Sequence, residues 1–208
     1  MSHIAASSQQ SGQHRIDAPL LRSNTYTVLA SLLHGPPGSA LIDHLSSLSV
    51  ADEDALGAMG RAWMNLRDAA RRADIAELGH EYQNLFIGLG RGEVVPYGSW
   101  HLTGFLMEKP LSDLRDDLAA LGIVREESGK DPEDHIAALC ESMALLIQAD
   151  DVDEDMERRF YACHVNPWAG KFFKGLQSAP SAKFYRDVSF LGQTFMELEG
   201  HYLNLRTH

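Results

Sequence analysis

The chain has 208 residues, 44% of them hydrophobic, enough for one sizeable core. Its 29 acidic and 18 basic residues leave a net charge of -11, a balance that repels nucleic-acid phosphates and anionic lipid and attracts a basic partner. No apolar run is long enough to span a membrane, and Cys140 and Cys163 match neither a disulfide framework nor a zinc spacing, so both are expected as buried, reduced thiols inside helices.

Residues 1–15 contain no hydrophobic core segment and so form no secretory signal; they are expected to be a disordered tail ahead of one helical domain over 16–208, in a cytoplasmic protein. The first helix is expected from about Asp17 to His34, with Pro19 in its first turn, Leu21, Val28, Leu29 and Leu32 on its core stripe, and the Gly35 to Gly38 turn as its stop. Leu41 to Leu48 reads as a short helix, and Asp52 to Arg72 as a longer one burying Leu56, Met59, Trp63 and Leu66. Asp74, with Glu77 as its reciprocal partner, caps a helix whose stripe is Ile75, Leu78, Tyr82, Leu85 and Phe86.

Past Phe86 the periodicity stops. Gly88, Gly90, Gly92, Pro96 and Gly98 are incompatible with a stable helix, so Glu81 to Trp100 ends in a long irregular connection, of the kind that carries function in a compact domain. Tyr97 and Trp100 beside Pro96 are expected to pack rather than to lie in water. His101 to Met107 is a brief amphipathic stretch; Pro110 and Gly122 then bracket a helix. Asp131 is expected to cap a helix that opens at Pro132 and buries Ile136, Leu139, Cys140, Met143, Leu146 and Ile147. The acidic run Asp150 to Glu157 reads as a solvated face leading into a helix with Val152, Met156, Phe160 and His164 at spacing four. Asn166 and Pro167 break it before a helix through Trp168, Phe172 and Leu176, and the last helix, Ser181 to about His201, carries Phe184, Val188, Leu191, Phe195 and Leu198. No strand is expected. The fold class is all-α: a single compact domain, with a division into two lobes around the central loop left open.

Two motif readings fail on context. The glycines after Phe86 follow a helix, and no Gly-Lys-Ser/Thr occurs, so they are no phosphate loop; His80-Glu81 begins a zinc-protease pattern that Asn84 ends. Asp131, Glu133 and Asp134 crowd His135 at a helix start. Capping accounts for the acids; a histidine there meets an unfavourable dipole if protonated, which points to a hydrogen-bonding or binding role with Asp134 orienting the ring. His164, near a helix C-terminus, has an adequate structural explanation in the dipole.

EYQNLFIG with VPYGSW, the DPEDHI run and HVNPW, in that order and in a helical setting, resemble the TorD/DmsD family of cytoplasmic chaperones that assist molybdoenzymes exported by the twin-arginine route. The resemblance runs from about Leu78 to Leu176 and more loosely to both ends. It implies a binding protein with no chemistry and no cofactor of its own, whose partners are a molybdopterin oxidoreductase precursor and its twin-arginine signal peptide. It also implies that signal-peptide recognition falls on Pro96, Tyr97, Ser99, Trp100, Asp131, Glu133, Asp134 and His135, with His164 and Trp168 of the third segment beside them. Many relatives carry two prolines before the loop aromatic; this chain has Val95-Pro96, and Tyr97 where some have Trp. Monomer and homodimer are both left open. The rival reading is a helical metal-dependent phosphohydrolase with His and Asp ligands, although the His-Asp doublet is reversed here and the other histidines are scattered.

Overall fold

The computed structural model describes residues 18–49, 57–88, 91–124 and 131–205. The expected start of the third helix at Asp52 and the tail over 1–15 lie outside these. Among the described residues ten α-helices follow in order: α1 (Ala18–His34), α2 (Ser39–Ser46), α3 (Ala58–Arg71), α4 (Ile75–Tyr82), α5 (Gly98–Thr103), α6 (Lys109–Ala120), α7 (Ile136–Gln148), α8 (Glu154–Phe160), α9 (Ala169–Ser178) and α10 (Phe184–Leu205). No strand occurs among the described residues; the only extended pairing there is a single antiparallel bridge between Tyr97 and His135. The all-α expectation holds.

α1 lies along α7, while α3 and α9 pack on α10. Their apolar faces meet in one core that includes Tyr26, Leu29 and Leu33 of α1, Leu139, Cys140 and Met143 of α7, and Val188, Leu191 and Phe195 of α10. Among the described residues the buried apolar side chains, Leu111 apart, form one cluster rather than two lobes. Each Leu, Val, Met or Phe among them contributes about 1.5–3 kcal/mol by leaving water. Tyr26 meets Phe195 edge-on at 4.7 Å.

Three polar devices secure the helices, one within a helix start and two between segments far apart in sequence. Asp74 caps α4 as expected, accepting from Ala76 N (2.9 Å) and Glu77 N (3.0 Å). Glu81, the false start of the zinc pattern, reaches the first turn of α10 and accepts from the backbone N–H groups of Lys183, Phe184 and Tyr185 at 2.8–3.2 Å, satisfying donors that a helix start otherwise leaves free. Arg22 of α1 is buried between Glu157 of α8 and Glu199 of α10, and Tyr26 donates to Glu199 at 3.0 Å.

That last network corrects one expectation: Glu157 is buried and ion-paired, whereas the rest of the acidic run described on α8 is exposed. Cys163 is exposed rather than buried. Leu21, Ile75, Met156 and Leu198 sit on the expected stripes but are exposed, because the stripes run past the neighbours that would cover them. Two helices also end in wide π turns, over Gln83–Ile87 after α4 and over Tyr161–Val165 after α8; such turns recur at functional sites. Both flank the candidate site.

Candidate functional site

The loop after the first π turn is pinned at both ends. Glu93 N donates to Asn84 O at 3.2 Å and Val94 N to Leu85 O at 2.8 Å. A Cβ on Gly92 would overlap the Leu85 carbonyl and the Phe86 backbone, so glycine allows this close return. Further on, Gly98 N donates to Asp134 O (2.9 Å) and Ile136 N to Pro96 O (2.8 Å). Proline has no N–H to give, but its carbonyl is free to accept.

This joint reassigns the Asp131 to His135 turn. α7 begins at Ile136, not Pro132, and its N-cap is His135, whose Nδ1 accepts from Ala137 N at 3.1 Å. Only an unprotonated Nδ1 can accept, and burial holds the ring in that form by pulling its pKa down to about 4. Asp134 instead caps a different helix: its Oδ2 accepts from Ser99 N at 2.7 Å, in the first turn of α5. Asp134 is 4% exposed, and its Oδ1 has no hydrogen-bond partner among the described residues. Asp131 accepts from the Tyr97 hydroxyl at 2.8 Å. Burial and that carboxylate push the phenol above its ordinary range. The Tyr97 ring stands edge-on to His135 at 5.1 Å. Glu133 pairs with Arg115 of α6 at 2.8 Å.

The second π turn supplies the facing wall. It carries Cys163 and His164, and His164 Nε2 lies 2.7 Å from Asp117 Oδ2 of α6. Trp168 Nε1 donates to His164 O at 2.7 Å, and its indole stacks on His101 at 5.2 Å. A Cβ on Gly98 would stand 2.9 Å from Trp168 Nε1, so that glycine sets how closely α5 approaches the indole. Between the walls lies a cleft of about 320 Å³ lined by Ser99, Leu102, Pro110, Asp113, Asp117, Asp134, Cys163, His164 and Trp168, with Gly98, Leu114 and Leu139. Both Asp113 oxygens accept from Lys109 at 2.6 Å and Asp117 meets the His164 ring through Oδ2, while Asp134 is the cleft carboxylate with a buried oxygen, Oδ1, that has no partner among the described residues. Three carboxylates over an apolar floor suit a guanidinium on a long aliphatic stem.

The family model described as nitrate reductase delta subunit matches residues 52–174, more than half of the chain. The chain belongs to the TorD/DmsD family. It is 26% identical over 204 residues to the chaperone protein TorD of Vibrio atlanticus, covering 88% of this chain and 94% of that one. The TorD of Vibrio parahaemolyticus is 25% identical over 138 residues, with 64% of its length covered, and that of Shewanella loihica 24% over 145 residues, with 66% covered. Among solved structures, a redox enzyme maturation protein from Archaeoglobus fulgidus has the same fold, at a TM-score of 0.58 and 18% identity over 85% of this chain and 94% of that one.

In this TorD/DmsD family member the ten residues picked from the sequence fall into distinct groups. Ser99, Asp134, His164 and Trp168 line the cleft. Pro96, Tyr97, Asp131 and His135 form the joint behind it. Glu133 is engaged with Arg115, and half-buried Trp100 lies under the Arg91 guanidinium at 4.9 Å. Sequence reasoning missed Asp117, Leu102, Pro110 and Cys163. Asp117 was within reach: it shares a helix face with Asp113 and Leu114, next to the Pro110 start signal. The rival phosphohydrolase reading gains nothing, since among the described residues no group of three or more His, Cys, Asp or Glu side chains is placed to hold a metal ion. Nor is any described helix long and apolar enough to cross a membrane.

Proposed function

We propose that this TorD/DmsD family chaperone works in the cytoplasm, binding the apo-form of a molybdopterin oxidoreductase and its twin-arginine signal peptide, assisting cofactor insertion and delaying export. The observation that carries the reading is Asp134: a buried carboxylate with Oδ2 tied to Ser99 and Oδ1 without a partner, in a cleft that also holds Asp113 and Asp117. A buried acceptor left unpaired is unfavourable by about 1–3 kcal/mol, and an arginine fork entering the cleft relieves it with a charge-assisted bond. The net charge of -11 steers a basic leader toward the protein and repels an acidic one. Cys163 and Leu102, both in the cleft lining, offer the stem apolar contact.

The test is calorimetric titration of the full chain with a twin-arginine leader peptide and with a copy in which both arginines are glutamine. Tight binding of the first and weak binding of the second is the expected result. Equal affinity for both would remove the arginine cleft from the account, and no binding of either would remove leader recognition altogether. Metal analysis of the purified protein is the cross-check on the rival reading, which requires a stoichiometric transition metal.

A further inference from the structure

The turn between α5 and α6 carries three consecutive large apolar side chains in the open: Phe105, Leu106 and Met107 are 68%, 50% and 73% exposed, one turn after Leu102 at 40%. Such a run is a liability unless something covers it. Met107 is also the only non-glycine residue with a positive φ among the described residues, at 59°, a conformation in which an unbranched side chain is uncommon. The turn is nonetheless firmly held. Met107 N donates to Ser99 Oγ at 3.2 Å, Phe105 N to Thr103 Oγ1 at 3.2 Å, and Thr103 Oγ1 to Ser99 O at 2.9 Å. Ser99 gives its own N–H to Asp134. One buried carboxylate thus fixes both the cleft and, through Ser99, the exposed turn at its edge. Leu102 and Pro110, on either side of the turn, line the cleft itself.

Charge selects what covers this rim. A second copy of the chain would bring net negative charge against Asp113, Asp117 and Asp134. A segment with arginines directly followed by an apolar run satisfies both halves at once. We propose that the Leu102–Met107 turn is the docking rim for the apolar run of the leader whose arginines enter the cleft, an inference that rests on the reading given under Proposed function. Apolar contact then falls on Phe105 to Met107 instead of on Tyr97 and Trp100, whose rings are engaged with His135 and Arg91.

Three peptides titrated into the full chain test it: an arginine pair followed by an apolar run, the same pair followed by a Ser/Gly run, and a glutamine pair followed by the apolar run. Each is measured against wild type and a Phe105→Ser, Met107→Asn double variant; both side chains are exposed and asparagine accepts the left-handed backbone, so the melting temperature should hold. The variant is expected to bind the first peptide roughly ten- to hundred-fold more weakly while its affinity for the Ser/Gly peptide stays within about two-fold. Equal affinity of both proteins for the first peptide overturns the rim and leaves the cleft standing. Equal losses for the first and second peptides also overturn it, since the variant then acts through the cleft. If the glutamine peptide binds as tightly as the first and loses as much in the variant, the rim stands and the arginine cleft falls. A concentration-dependent dimer of wild type that the variant abolishes puts a second copy on the rim and overturns the proposal.

Discussion

Asp134→Asn separates a cap from a binding carboxylate. The amide oxygen of asparagine can keep the bond to Ser99 N, so α5 retains its start. What changes is the partnerless Oδ1, replaced by an amide nitrogen. Weakening the Ser99 bond from charge-assisted to neutral loses about 1 kcal/mol, offset in part because a charge no longer has to be held in the interior; the net stability change should stay within about 1 kcal/mol. Binding should suffer more. An arginine fork meeting an amide N–H in place of an acceptor loses about 1–3 kcal/mol, or roughly 5- to 150-fold in Kd. The assay is calorimetric titration of both proteins with the arginine-pair and glutamine-pair peptides, completed as a double-mutant cycle, with urea denaturation as the stability control. A coupling energy of at least about 1 kcal/mol is expected, and it should shrink with added salt to the extent that water reaches the site. Additive losses, with coupling below about 0.5 kcal/mol, would refute the placement of an arginine at Asp134.

His135 sets a pH dependence. Its folded pKa of about 4 lies below the ordinary value of 6.5, so between those limits the unfolded chain binds the proton and the native one does not. Stability is therefore full above pH 6.5 and falls by about 3 kcal/mol as pH drops to 4, and His135→Asn, which keeps a capping side chain, should flatten that part of the profile; parallel urea midpoints for the two proteins across the range would contradict this. Gly98→Ala places a methyl 2.9 Å from the Trp168 indole and should destabilise the fold by about 1–3 kcal/mol, with a change in tryptophan fluorescence marking the disturbed stack. An unaltered melting curve and spectrum would show that α5 can move aside. Glu81→Ala leaves the first N–H groups of α10 without their acceptor and should lose about 2–4 kcal/mol, against about 1 for Glu81→Gln, which keeps an oxygen in place. Equal losses from the two, read by denaturant unfolding, would mean that charge rather than hydrogen bonding secures the helix start.

Most of the helices could be read directly because their signals are local. Asp74 before Ile75, Pro110 near the start of α6 and the stripe from Phe184 to Phe195 all act over a few residues, and the structure keeps them. Where the reading slipped, the deciding partner was distant. Asp131-Pro132 has the composition of a helix start, yet Asp134 and Ile136 pair with Gly98, Ser99 and Pro96 instead, which holds the turn open until His135. Periodicity shows which face of a helix is apolar but not how far a neighbour extends to cover it, hence Leu21, Ile75 and Leu198 in the open. The π turns leave no pattern at all, since one extra residue in a turn changes direction without changing composition. For the site, motif residues marked both the cleft and the joint behind it; the pairing of Asp134 with α5 and of Asp117 with His164, 47 positions away, is set by tertiary contacts that no local pattern announces.

Arg22 has a further meaning when the order of synthesis is considered. Its two carboxylate partners lie 135 and 177 positions later in the chain. On the ribosome, α1 therefore emerges as a segment bearing a cation whose native burial is unfavourable until α8 and then α10 exist to neutralise it. A nascent chain cut off before Glu199 is therefore expected to seat α1 more weakly than one that carries α10 as far as that carboxylate.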